Sequence, residues 1–84
     1  MKIIFTKNAR ADFNFWRRKN SPQYRKIKEL PFDIAKNPFT GIGKPEPLKY
    51  DFAGFWSRRI DRTNRLIYKI EKRKIVIIAC RYHY

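Results

Sequence analysis

Apolar positions change their period partway along the chain. In the first half they recur at helical spacing: Ala9, Phe13 and Trp16, then Tyr24, Ile27, Leu30 or Pro31, and Ile34. Residues three or four apart share a helix face, so each set predicts an amphipathic helix. Thr6 stands before the first as an N-cap, and "NSP" at residues 20–22 separates the two. Ser21 is then the second cap and Pro22 the first helical residue, where its missing N–H costs nothing. Pro31 is discordant, because a proline inside a helix loses a hydrogen bond and crowds the preceding turn. A kink there, or a split near Leu30, is expected. Asn37-Pro38 ends the helical part.

The remaining pattern is β. "KIIFT" near the start is a short strand of β-formers. "NPFTGIGKPEPLKY" is an ordered but irregular loop, punctuated by glycine and proline. "GFWSRRID", "RLIYKIE" and "KIVIIACRY" then read as strands joined by "RTN" and "KR", links short enough for an antiparallel meander. The expected fold is α+β, one domain over residues 1–84, with an N-terminal strand and two helices packed on one face of an antiparallel sheet. Trp56, Arg58 and Ile60 alternate with Ser57, Arg59 and Asp61, and Leu66, Tyr68 and Ile70 with Arg65, Ile67 and Lys69. With the apolar set toward the helices, Arg59 and Arg65 fall on the open face, provided the turn pairs Ile60 with Asn64. The last strand is apolar on both parities, so alternation does not orient His83. Trp56 is expected in the core and the tyrosines Tyr82 and Tyr84 at the surface.

Charge narrows the functions. Lys and Arg number 21 against 7 Asp and Glu, a formal net charge of +14. Self-repulsion on that scale is relieved by an acidic partner: nucleic acid, an anionic membrane or an acidic protein. The longest apolar run, residues 75–80, is far too short to span a bilayer. The start "MKIIFTKNAR" lacks a signal-peptide core. The single cysteine, Cys80, forms no internal disulfide and reads as a buried small hydrophobe. These features suggest a cytoplasmic protein without membrane contact.

One His and one Cys cannot build a zinc site, and no phosphate-loop or dinucleotide fingerprint is present. Chemistry without metal or cofactor is therefore expected. Histidine exchanges a proton near neutrality, and His83 is the only one. Glu46 lies in "GKPEPLK", stiffened by prolines and flanked by Lys44 and Lys49. Arg59 and Arg65 can each hold a phosphate bidentately. A carboxylate base, an arginine clamp and a histidine acid are the parts of metal-free RNA cleavage through the 2′-hydroxyl. Each group also has a plainer reading: a solvated imidazole, a surface carboxylate, arginines that bind phosphate without chemistry.

The segment from "PFTGIGKPEPLK" through "GFWSRRI" and "NRLIY" to "CRYHY" resembles the YoeB/Txe toxins, a branch of the RelE-like toxin–antitoxin superfamily. The matching pieces cover the last half of the chain in order. The resemblance implies a RelE-like domain, similar to microbial ribonucleases, and a ribosome-dependent endoribonuclease that cleaves mRNA on the 70S ribosome. It implies no cofactor, and an acidic cognate antitoxin of the YefM/Axe type. Carried across by motif, Glu46 is the general base, Arg65 the transition-state clamp and His83 the general acid. Tyr84 contributes to positioning and catalysis, and Lys44, Lys49 and Arg59 to RNA contact. Asn64 departs from the pattern, standing where many relatives carry His. Oligomeric state is left open, a homodimer included. The competing classes are a non-catalytic RNA- or ribosome-binding module and a cationic membrane-active protein. The first explains the charge but not Glu46 in a basic loop. The second needs a broad-faced basic helix.

Overall fold

The computed structural model describes residues 1–83. Strand β1 (Lys2–Phe5) leads into α1 (Lys7–Lys19) and α2 (Pro22–Lys36). After the loop come β2 (Glu46–Pro47), a 3-10 turn (Tyr50–Phe52), β3 (Trp56–Arg59), β4 (Arg65–Glu71) and β5 (Lys74–Tyr82). Both helices start as the capping residues dictate: Thr6 Oγ1 accepts from the Ala9 N–H at 3.2 Å, and Ser21 Oγ from the Tyr24 N–H at 3.4 Å. Asn20 closes α1 in the left-handed region, and Arg17, Arg18 and Lys19 complement its C-terminal dipole.

Pro31 does not split the second helix, which runs unbroken from Pro22 to Lys36. Pro31 is buried beside Leu30, Ile27 and Ile34 on the core-facing side, so apolar burial offsets the lost hydrogen bond.

The meander forms as expected, and the sheet extends beyond it on both sides, in the order β1-β5-β4-β3-β2. The helices carry the chain across, so β1 returns parallel to β5 and makes the sheet mixed, with Ile3 opposite Ile75. Glu46 and Pro47 add a short antiparallel edge against Trp56 and Ser57. The core lies between helices and sheet: Ala9, Trp16, Ile27, Leu30 and Ile34 against Leu66, Tyr68, Ile75, Ile77 and Cys80.

Two register shifts between β4 and β5 resolve the ambiguity of the last strand. Ile70 pairs with Ile75 and Tyr68 with Ile77, but Ile67 pairs with Ala79 and Arg65 with Tyr82. The extra residues let Ile75, Ile77 and Cys80 all join the core although their parity differs. Helix α1 supplies partners at this irregularity: Asp12 Oδ2 accepts from the Cys80 N–H at 3.0 Å, and Trp16 Nε1 donates to the Cys80 carbonyl at 2.8 Å. Cys80 is fully buried, and burial first, then the Asp12 carboxylate, pushes its thiol up to about 12. It is inert packing, as the sequence indicates.

Candidate active site

The pairing register gathers the charged groups onto the face away from the helices. Glu46 pairs with Ser57, Ser57 with Ile67 and Ile67 with Ala79, one row across the sheet. The neighbouring row is Arg59, Arg65 and Tyr82. The two rows are about 7 Å apart, two residues along a strand. Glu46, Arg59 and Arg65 thus share a face, and Ile60 meets Asn64 across the turn, its N–H donating to the Asn64 carbonyl at 3.0 Å.

Glu46 lines an open cavity of about 410 Å³ with Leu48, Lys49, Tyr50, Phe52 and Tyr82. Tyr50 is 92% exposed there. Lys44 and Arg59 line a separate shallow depression with Lys26 and Arg62, so of the three expected basic contacts only Lys49 lines the Glu46 cavity. The segment before β3 partly closes the face. Phe52 stacks edge-on against Phe55 and Tyr82, and Lys69 sits 5.4 Å from the Phe55 ring centroid. Two expectations need correction here. Tyr82 is half-buried rather than exposed, because of the Phe52 ring. Trp56 is half-buried rather than central, packing on Phe39 at the core's edge. Tyr84 lies outside the described residues.

The turn between β3 and β4 positions the rest. Arg65 is half-buried, and its Nη1 donates to the carbonyls of Asp61 (3.1 Å), Asn64 (3.3 Å) and Arg62 (3.4 Å). His83 is exposed but anchored: its Nε2 lies 2.7 Å from Asn64 Oδ1. Asp61 organises the turn by accepting from the N–H groups of Thr63 (2.9 Å) and Asn64 (2.6 Å) and from Gln23 Nε2 on α2 (3.0 Å). Burial alone would push the Asp61 carboxyl up, but these donors hold it well below the usual carboxylate range.

Neither Asp61 nor Asn64 is marked by its residue type as part of the site. "DRTN" carries a usable signal, since an Asp that begins a turn accepts N–H groups two and three residues on. The contact of Asn64 with His83 depends on the shifted β5 register and has no local signature. Arg58 was also missed. It is fully buried between β3 and α2, with Nη1 on Asp33 Oδ2 at 2.6 Å, and Nη2 donates to the Thr40 carbonyl at 2.8 Å and to that of Asn37. Its Nη1 also reaches the Ile42 carbonyl, so this one guanidinium pins the loop leading to Lys44 and Glu46. No group of three or more potential metal ligands exists among the described residues.

Two helices on one face of a small mixed sheet, with a basic face opposite, define the RelE-like toxin class. Residues 5–84 match the model of the YoeB-like toxin of bacterial type II toxin-antitoxin systems. The Streptomyces coelicolor toxin YoeB is 48% identical over 84 residues, the whole of both chains. A YoeB/ParE toxin from Agrobacterium tumefaciens, 41% identical and covered fully in both chains, superposes with a TM-score of 0.96. YoeB of Staphylococcus aureus, 38% identical over 100% of this chain and 98% of that one, was solved as a dimer (TM-score 0.92) and in a heterotetrameric complex with YefM (0.90). The chain belongs to the YoeB-like toxin family.

Proposed function

We propose that this toxin is a ribosome-dependent endoribonuclease that cleaves mRNA without a metal and so blocks translation. The observation that supports it is the sheet register, which gives Glu46, Arg59 and Arg65 one face, with His83 held on the turn that also holds Arg65. In this reading Glu46 takes the proton of a 2′-hydroxyl, and the freed oxygen attacks the adjacent phosphorus. Arg65 stabilises the added negative charge. His83 protonates the leaving 5′-oxygen. The products are a 2′,3′-cyclic phosphate and a 5′-hydroxyl end. Tyr84 assists positioning, and Lys44, Lys49 and Arg59 hold RNA phosphates. Exposed Tyr50 beside Glu46 offers a surface for a splayed base.

The partner follows from charge and kinship. A chain of net charge +14 with a basic face suits an acidic antitoxin of the YefM type, as in the Staphylococcus aureus complex, and a homodimer is a second assembly open to it. Brief induction in growing cells, followed by mapping of mRNA ends, tests the proposal. Ends that accumulate within translated frames, carry 5′-hydroxyls and disappear on co-expression of an acidic antitoxin are expected. Growth arrest without new mRNA ends would favour the non-catalytic ribosome-binding module.

A further inference from the structure

Beside the groups assigned to proton transfer and phosphate lies a short polar chain from α2 through the β3–β4 turn to the imidazole. We infer that Asn64 is the positioning residue for His83, fixing the ring with its proton on Nε2 and leaving Nδ1 as the atom that delivers a proton to the RNA. The inference rests on the endoribonuclease reading and adds the residue that makes its acid geometrically defined.

A carboxylate only accepts hydrogen bonds. Asn64 Nδ2 lies 3.2 Å from Asp61 Oδ1 and 3.1 Å from Oδ2, so the amide must present its NH₂ group to Asp61. Its carbonyl oxygen therefore faces His83 Nε2, at 2.7 Å. A carbonyl also only accepts, so Nε2 carries the hydrogen. Asn64 is 7% exposed, which keeps water from replacing it. The support is rigid, because Gln23 ties Asp61 to α2 and the Asn64 main chain closes the turn on Ile60.

The chemistry follows from that tautomer. In the acid step the Nδ1–H proton passes to the 5′-oxygen as its bond to phosphorus breaks, and the ring becomes neutral. The neutral ring left behind carries its proton on Nε2, the form Asn64 already holds. One hydrogen bond thus orients the ring before and after transfer. Without it the ring turns freely and both tautomers populate.

Two measurements on the full chain test this. The first is ¹⁵N NMR of His83 in the wild-type protein with the ring neutral. The second is single-turnover cleavage on programmed ribosomes by wild type, Asn64→Ala and His83→Gln, with ribosome affinity measured in parallel. Expected are an Nε2–H tautomer in wild type, a tautomer mixture in Asn64→Ala, and a cleavage constant lowered about 10²-fold at unchanged affinity. An Nδ1–H tautomer in wild type overturns the inference even if Asn64→Ala does not fold. So does wild-type cleavage by Asn64→Ala. Cleavage by His83→Gln at the wild-type rate removes His83 as the acid and overturns the inference while leaving the endoribonuclease reading intact, whereas no cleavage by wild type overturns that reading, and the inference falls with it.

Discussion

The Arg58 guanidinium and the Asp33 carboxylate meet beneath the loop that carries Glu46, Nη1 to Oδ2 at 2.6 Å. Arg58 has no exposed side-chain surface, and Asp33 is 21% exposed. The same carboxylate oxygen accepts the Ile42 N–H at 3.1 Å. The pair therefore joins β3, α2 and the loop at one point, and removing Asp33 leaves the buried guanidinium without its counter-charge.

Asp33→Ala should destabilise the fold by about 3 kcal/mol, the low end for breaking a buried pair, since several oxygens still accept from Arg58. The Arg58 hydrogen bond holds the Asp33 carboxyl below its ordinary value, against the effect of burial. A depressed folded value means the contribution is fully present above the unfolded value of about 3.9 and fades as pH falls through the lower folded one. Urea unfolding of wild type and variant should therefore converge in strongly acidic buffer and differ at neutrality.

Gly41 should tolerate no side chain. Its φ is +109°, and a Cβ there would collide with the Asp33 carboxylate. Gly54 also has positive φ, +94°, but a Cβ would meet nothing within 4 Å. Gly54→Ala should cost only the backbone term, about 1–2 kcal/mol. Gly41→Ala should cost more and disturb the Arg58 contacts. Thermal melts of the two variants compare them directly.

Arg59 and Arg65 face each other across the β3–β4 ladder yet should act differently. Arg59 opens on the shallow basic depression, whereas Arg65 is tied to the turn. Arg59→Ala should weaken ribosome or RNA binding and flatten its salt dependence by about one phosphate contact. Arg65→Ala should lower the cleavage constant more than the affinity. A cleavage constant at saturating toxin that Arg65→Ala leaves unchanged would remove Arg65 from transition-state stabilisation.

Much of this architecture was legible because it is local. Thr6 and Ser21 announce their helices, and strand alternation put Arg59 and Arg65 on one face and Arg58 on the other. Arg58 stands in an otherwise apolar row, and nothing local marks its partner Asp33, which lies on a different element. Pro31 was read as a breaker because its burial against the sheet is invisible in the helix alone. The direction of His83 depended on register shifts that α1 stabilises through Asp12 and Trp16, and no periodicity encodes them. Residue chemistry singled out Glu46, Arg59, Arg65 and His83, and family resemblance gave Glu46, Arg65 and His83 their separate roles and added Tyr84. It passed over Asn64, the residue His83 contacts, because that position departs from the familiar pattern.

The claim that matters most is that this basic face performs acid–base cleavage rather than simple binding. Single-turnover cleavage on programmed ribosomes, at saturating toxin, measures it for wild type and His83→Gln. The account predicts a rate constant lower by about 10²–10⁴-fold in the variant, with unchanged ribosome affinity and an unchanged thermal melt. Wild-type protein that binds ribosomes without cleaving would contradict the claim, and a variant that cleaves at the wild-type rate would remove His83 from the mechanism.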